Sequence, residues 1–168
     1  MLTPKVAVLM GSKSDLPKLQ STIDTLRGFE VPFAVRIMSA HRTPAVVKEF
    51  AESAATSGLE VIIAAAGGAA HLAGAVAAHT LLPVIGIPVE GGTLHGLDAL
   101  LSTVQMPGGV AVATVGIGDG GAQNAALIAV QILALNDPAL TARLQAFRKE
   151  RQDKVLAADA ELQATTRK

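Results

Sequence analysis

The sequence predicts an α/β fold in which a doubly wound parallel sheet is covered by helices on both faces. Short β-branched segments alternate with helical segments, and the connections between them are short. Such alternation implies right-handed crossovers between parallel strands. Half of the residues are hydrophobic but only 2% are aromatic. A core of Ala, Val, Leu and Ile suits helices packed closely on a parallel sheet.

Five short apolar runs are predicted to form the strands. They are Lys5–Met10, Pro32–Met38, Leu59–Ala65, Pro83–Val89 and Val110–Ile117. The first run meets Gly11 early, which favours a strand over the apolar region of a signal peptide. The most apolar segments are interrupted within about ten residues, too soon for a membrane span. We therefore expect a soluble, cytoplasmic protein with no membrane association.

The segments between the strands show helical periodicity. In the first, Leu16, Leu19 and Ile23 recur at helical spacing. Pro44 suits the first turn of the second helix, and Gly58 suits its end. The predicted helices are about Asp15–Arg27, Thr43–Ser57, a small-residue stretch through about His79, Leu97–Gln105 and Ala122–Leu135.

The chain is predicted to form one α/β domain, residues 1–136, followed by an extended C-terminal helix, residues 137–168. After Pro138 an apolar stripe begins at Leu140, and a charged run follows at Arg148–Lys154. This segment is either a solvated tail or a helix that packs on a neighbouring subunit. We expect the second.

Composition excludes several classes of function. Fourteen basic and fourteen acidic residues cancel, so there is no electrostatic footprint for nucleic acid. Without Trp or Tyr, the stacking platforms that bind single strands are also missing. The absence of cysteine removes disulfides, thiol nucleophiles and thiolate metal sites. No paired His/Asp ligand spacing appears either, so we expect no metal and no nucleic-acid partner.

Polar residues follow the first predicted strand, at the end of the sheet where ligands of such folds bind. They are Ser12, Lys13, Ser14 and Asp15, after Gly11. Two hydroxyls and unpaired backbone N–H groups at a helix start can hold an anion. The same residues can instead simply cap the helix. Both interpretations stay open on local sequence alone.

The second strand is followed by Ser39, Ala40, His41 and Arg42. Arg can clamp a phosphate or carboxylate, and His titrates near neutral pH, as a proton shuttle must. The alternative is a solvated surface pair with no function.

The third strand is followed by a loop of small residues. It contains Gly67, Gly68, Ala69 and Ala70 and ends at His71. A bare glycine-alanine loop lets a ligand lie directly on the backbone. His71 is interpreted either as a second polar contact to that ligand or as the donor of a structural hydrogen bond.

A second glycine-rich loop, Gly116–Gly121, matches the G-x-G-x-x-G pattern of dinucleotide sites. Such a site also needs a following strand with an acidic residue about 20 positions on. Here the helix after the loop leads into another helix, with no sixth strand. We therefore expect no dinucleotide site.

Six motifs occur in order along the chain. They are GSKSD (Gly11–Asp15), SAHRTP (Ser39–Pro44), AGGAAHLAG (Ala66–Gly74), PVIGIPV (Pro83–Val89), GLDALLSTVQMP (Gly96–Pro107) and NAAL (Asn124–Leu127). From about Val6 to Leu135 the chain resembles the bacterial class of the carboxyaminoimidazole ribonucleotide mutase family of purine biosynthesis. Positions 73, 91, 99, 111 and 116 depart from the usual pattern, and none of these departures removes a proposed catalytic group.

The resemblance implies a flavodoxin-like, three-layer α/β/α fold, assembled as a homo-octamer with sites at subunit junctions. It implies an enzyme that moves a carboxyl group on a small ribonucleotide substrate, without metal or organic cofactor. His41 would transfer the proton, Ser12 and Arg42 would hold the phosphate with Ser39 nearby, and Asp15 would bind the ribose. Substrate contacts are also expected from Ser14 and from Gly67, Gly68, Ala69 and His71.

Two other functions remain open. A related carboxylase uses aminoimidazole ribonucleotide and carbon dioxide directly, but tends to carry Lys-Gly-Pro after its His and a more polar third loop. Here His41 is followed by Arg42, Thr43 and Pro44, which favours the mutase. A non-catalytic nucleotide-binding module is the second alternative, and enzymatic turnover separates it from both enzymes.

Overall fold

The computed structural model describes residues 3–166, in two compact units. One unit ends at Ile132 and the other begins at Leu133. The outer ends of the two predicted segments, residues 1–2 and 167–168, lie outside the described residues. Packing of the C-terminal segment on a neighbouring subunit stays a prediction.

Five parallel strands form one sheet in the first unit. They are β1 (Val6–Met10), β2 (Phe33–Ile37), β3 (Val61–Gly67), β4 (Val84–Val89) and β5 (Ala113–Thr114). Their order is β2-β1-β3-β4-β5, and every neighbouring pair is parallel. The chain first adds β2 on one side of β1 and then crosses to add β3 on the other, so the strand order reverses at β1. This is the flavodoxin-like order, and the predicted doubly wound fold is confirmed.

Helices connect the strands on both faces of the sheet. They are α1 (Gln20–Gly28), α2 (Pro44–Ser53), α3 (Leu72–Ala77), α4 (Leu97–Val104) and α5 (Asp119–Ala134). The continuous helix predicted over Asp15–Arg27 is instead a 3-10 helix, Lys13–Leu19, followed by α1. Pro17 lies inside the 3-10 segment. Because proline has no N–H to donate, it interrupts the α-helical hydrogen bonds at this point.

The core lies around β1, β3 and β4. All of β1 and β4 and residues 61–65 of β3 are buried, as expected for central strands covered on both faces. Leu9 and Ile62 belong to one apolar cluster with Val47 of α2 and Val76 of α3. The edges are less covered, and β5 pairs over two residues only. The buried central strands therefore position the first and third loops, whereas the second loop follows the edge strand β2.

The second unit contains α6 (Pro138–Thr166), a helix of 29 residues. Exposed pairs four residues apart support it, and the Lys154 ammonium, hydrogen-bonded to Glu150, holds the pKa of that carboxyl below its ordinary value. Its later apolar side chains are exposed, namely Val155, Leu156 and Leu162. Within residues 3–166, no helix combines the length and apolarity needed to cross a membrane.

Candidate active site

Three loops meet at the carboxyl ends of β2, β1 and β3, because these strands are parallel neighbours in the sheet. Between the loops lies a cavity of about 400 Å³. Its lining comes from all three loops and comprises Gly11, Ser12, Asp15, Ser39, Ala40, His41, Arg42, Ala66, Gly67, Ala70, His71 and Leu72. The cavity sits where the strand order reverses, the place at which doubly wound folds bind ligands.

The first loop places Ser12 and Asp15 on the cavity wall. Ser12 has an extended backbone (φ −151°, ψ 152°) and caps the 3-10 helix. Its Oγ accepts from the Ser14 N–H at 3.3 Å and from the Ser14 hydroxyl at 2.8 Å. Ser12 therefore caps the helix and faces the cavity at once, so the two interpretations of this loop are compatible. Ser14 supports Ser12 and does not line the cavity.

The second loop is held by hydrogen bonds between its own residues. The Ser39 N–H donates to Thr43 Oγ1 at 2.9 Å, and the Thr43 N–H donates to the Ser39 carbonyl at 2.9 Å. The Arg42 N–H donates to Ser39 Oγ at 3.2 Å. The Arg42 guanidinium donates to the Gly11 carbonyl at 2.5 Å, which ties the second loop to the first. This fixed guanidinium retains further N–H groups for an anion.

The third loop has an unusual backbone. Gly68 and Ala70 both lie in the left-handed region, with φ of +61° and +48°. The Ala70 N–H donates to the Gly67 carbonyl at 3.1 Å, closing a turn. Gly67 and Ala70 line the cavity, whereas Gly68 and Ala69 lie in the loop outside its lining. The Ala69 carbonyl instead accepts a hydrogen bond from the hydroxyl of Ser102 on α4.

His41 and His71 are in direct contact. Nε2 of His41 lies 2.7 Å from Nδ1 of His71, and the rings are nearly perpendicular at 81° with centroids 4.8 Å apart. At this distance one nitrogen donates and the other accepts, so the tautomers of the two rings depend on each other. His71 is the N-cap residue of α3, and its carbonyl accepts from the Ala75 N–H at 2.9 Å. The sequence placed both residues at strand ends but did not predict that they touch.

Ser102 was not predicted as a site residue, and neither were the cavity residues Ala66 and Leu72. Ser102 lies on α4, which follows β4, whereas the three site loops follow β1, β2 and β3. The available signal was its position inside the GLDALLSTVQMP motif. Among the described residues, no group of three or more His, Asp and Glu side chains could hold a metal ion.

The loop Gly116–Gly121 contributes nothing to this cavity. A Cβ at Gly121 would lie 1.6 Å from the Gly116 carbonyl oxygen, so glycine there permits direct backbone packing at the start of α5. Within residues 3–166, no strand follows α5, as expected. Gly121 therefore serves packing within this loop.

Comparison with known proteins adds a family. The family model described as AIR carboxylase matches residues 5–154. N5-carboxyaminoimidazole ribonucleotide mutase from Mycobacterium tuberculosis is 57% identical over 160 residues, covering 95% of this chain and 91% of the relative. The mutase from Synechocystis sp. is 53% identical, covering 96% and 90%. The crystal structure of Treponema denticola PurE matches with a TM-score of 0.84 and 30% identity, covering 95% of this chain and 98% of that chain.

Proposed function

This chain belongs to the AIR carboxylase family, and we propose that it converts N5-carboxyaminoimidazole ribonucleotide into 4-carboxyaminoimidazole ribonucleotide in de novo purine biosynthesis. The enzyme is then an isomerase, a mutase that moves one carboxyl group within its substrate. The observation that carries the proposal is the His41–His71 pair, 2.7 Å apart on the wall of a cavity that also presents Arg42. An acid/base group and an anion site at one strand-order reversal suit a phosphorylated substrate that must exchange a proton.

The nucleotide end of the substrate is held by the first two loops. Arg42 offers a guanidinium that is already oriented by the Gly11 carbonyl, and Ser12 offers a hydroxyl hydrogen. Ser39 lies beside them and accepts the Arg42 backbone N–H. The Asp15 carboxylate is suited to the ribose hydroxyls. Binding energy from the phosphate then holds the ring in place during the chemistry.

The carboxyl transfer needs one proton to be gained and one to be lost. The carbamate C–N bond breaks, carbon dioxide is released, and the exocyclic nitrogen gains a proton. The ring carbon, which is electron-rich as in an enamine, then attacks carbon dioxide, and the proton on that carbon leaves. A single imidazole can deliver the first proton and collect the second, which is the role we assign to His41.

Freed carbon dioxide must stay beside the ring until it is attacked. Ala66, Gly67, Ala70 and Leu72 supply the small, apolar part of the cavity wall. These side chains offer no hydrogen-bonding groups, so this part of the cavity favours the gas over water. We therefore assign the carboxyl end of the substrate to the third loop and its phosphate to the first two loops.

The carboxylase is the second candidate, because the family model carries that name. Two substrates distinguish the enzymes in one ultraviolet assay without ATP. We expect rapid conversion of the carbamate, and carboxylation of plain aminoimidazole ribonucleotide only at unphysiologically high bicarbonate. Equal efficiency with ordinary dissolved carbon dioxide would replace the mutase by the carboxylase. Absence of turnover with either substrate would leave a nucleotide-binding module.

The proposal includes a homo-octamer in the cytoplasm. Apolar side chains are exposed on α4, including Leu97, Leu101 and Val104, which recur on one helix face. Further exposed apolar residues lie on α6, in the other unit. Light scattering at micromolar concentration should give the mass of eight chains of 17.1 kDa. A monomer would contradict this assembly, and cell fractionation tests the location.

A further inference from the structure

We propose that Ser102 is a positioning residue of the site, whose hydroxyl fixes the Ala69–Ala70 peptide and thereby holds His71 against His41. The kinetic part of this inference rests on the proposed function. The conformational part does not, because it concerns only the backbone of the third loop.

The hydrogen bond joins two separate parts of the first unit. Ser102 lies on α4, and its Oγ donates to the carbonyl of Ala69 in the loop after β3. Ser102 is partly buried and does not line the cavity. Its effect on the reaction must therefore pass through the loop.

The Ala69–Ala70 peptide, which Ser102 restrains, has a strained backbone conformation. Ala70 has φ of +48°, a conformation that costs an L-residue with a Cβ about 1–2 kcal/mol. Rotation of the Ala69–Ala70 peptide would relieve this cost. Two hydrogen bonds oppose the rotation, one from Ser102 to the Ala69 carbonyl and one from the Ala70 N–H to the Gly67 carbonyl. Ser102 supplies the restraint on the carbonyl side.

The restrained peptide is directly followed by the second histidine. Ala70 lines the cavity, and His71 carries the Nδ1 that lies 2.7 Å from Nε2 of His41. Rotation of the peptide would redirect the Ala70 methyl group and shift the start of α3. The rings of His41 and His71 would then move apart. Ser12 and Arg42 lie on other loops and keep their positions. Loss of the Ser102 hydroxyl should therefore reduce kcat much more than it raises KM.

A matched set of variants isolates the hydroxyl. Ser102→Thr and Ser102→Val have the same shape and differ in one hydroxyl, and Ser102→Ala removes the group with least steric change. Thr103→Val is the control on the same helix, since the Thr103 hydroxyl bonds to the Ala99 carbonyl within α4. We expect kcat to fall about tenfold or more in Ser102→Ala and Ser102→Val, with KM for the carbamate within about twofold of wild type. Ser102→Thr should recover kcat to within about threefold of wild type, and Thr103→Val should match wild type.

Relief of the backbone cost gives a second test. Glycine adopts positive φ freely, so Ala70→Gly removes the reason for the peptide to rotate. Measured against Ala70→Gly alone, which accounts for the loss of the Ala70 methyl from the cavity wall, Ser102→Ala should lower kcat at least about threefold less than it does in wild type, so that Ala70→Gly rescues the Ser102 defect. Failure of this rescue would show that the backbone conformation of Ala70 does not link Ser102 to the chemistry.

Hydrogen exchange of residues 66–71 in the assembled protein tests the conformation without any substrate. Exchange should speed up in Ser102→Ala and Ser102→Val, and should stay at the wild-type rate in Ser102→Thr and Thr103→Val. An unchanged rate in Ser102→Val, or equal kcat in the Thr and Val variants, would overturn the positioning role. If wild type has no turnover, the proposed function fails, and the exchange rates alone still decide whether Ser102 holds the loop.

Discussion

Two glycine-containing loops follow strands of the same sheet, but their glycines have different structural roles. In the loop after β3, Gly68 has open space where a Cβ would stand, and its neighbours Gly67 and Ala70 face a cavity. In the loop after β5, the site of a Cβ at Gly121 is already occupied by the Gly116 carbonyl. The first loop keeps the backbone accessible, and the second uses glycine to bring two pieces of backbone together.

The difference shows why a closer match to a known glycine motif did not locate the candidate site. Gly116–Gly121 matches a known spacing, but none of its residues lines the cavity that contains His41 and His71. The loop after β3 matches no general glycine pattern, but it lines the same cavity as His41 and Arg42 of the loop after β2. The side chains that share a cavity with a glycine loop are therefore a better guide to a ligand site than the spacing of its glycines.

Replacement of His41, which contacts His71 at the end of the loop after β3, should have the largest effect on activity. His41→Asn should fold and bind the nucleotide while turnover falls by roughly two to four orders of magnitude, because the acid/base group is lost. His95→Asn is the matched control, since His95 is exposed in another loop with a positive φ that Asn tolerates. Turnover assays and calorimetric binding of the nucleotide measure both effects. Near-normal activity in folded His41→Asn would remove His41 from the mechanism.

A methyl group added at Gly121 should be the most damaging change in the loop after β5. Gly121→Ala places the methyl on the Gly116 carbonyl, and we expect a loss of about 3 kcal/mol in the free energy of unfolding. Gly120→Ala adds the same group at a position with nothing within 4 Å and should be neutral or stabilising. Denaturant unfolding of both variants provides the measurement. Equal stability of the two would contradict the packing role of Gly121.

Removal of the guanidinium should weaken substrate binding without abolishing the chemistry. Arg42→Ala should raise KM by roughly ten- to hundredfold, because a charge-assisted contact to phosphate is lost. Arg36→Ala, which removes an exposed guanidinium stacked on Phe50, serves as control and should leave KM unchanged. The corresponding nucleoside should be a poor substrate for wild type. If wild type processes nucleoside and nucleotide equally well, no phosphate clamp exists at Arg42.

The smallest effect is expected at Gly68. The new methyl group of Gly68→Ala meets no neighbouring atom, but alanine must adopt the φ of +61° found at this position. We therefore expect a loss of about 1 kcal/mol in the free energy of unfolding. Gly91→Ala, which is equally open but without a positive φ, should cost less. Thermal or denaturant unfolding compares the two. A loss at Gly68 as large as that at Gly121 would mean that the loop after β3 is also tightly packed.

The order and type of the elements could be predicted where burial dictates the pattern. The strands β1, β3 and β4 read as continuous apolar runs because they are covered on both faces. The extent of the edge strand β5 was less predictable, since a strand predicted over Val110–Ile117 pairs only at Ala113–Thr114. Pairing there depends on a single neighbouring strand, and that information is not local in sequence.

That His41, Arg42 and the loop after β3 lie at one end of the sheet could be predicted from parallel strand topology. That they belong to one site was expected from the family resemblance. Distances could not be predicted, because the 2.7 Å contact between His41 and His71 depends on the rotamers of two rings. The bond from Ser102 to Ala69 was also beyond prediction, since it depends on how α4 packs beside the sheet. Tertiary packing, rather than any local motif, decides these contacts.

The position of α4 along the chain has a consequence for synthesis on the ribosome. Every residue that lines the cavity precedes position 73, so all of them emerge before β4 and α4. A nascent chain at that stage still has β3 as an open sheet edge and lacks the Ser102 hydroxyl that restrains the third loop. Because domains form as whole units once enough chain is available, the reactive geometry is completed only after α4 has been added. A chain arrested before α4 would thus carry every residue of the cavity wall and still lack the geometry described here.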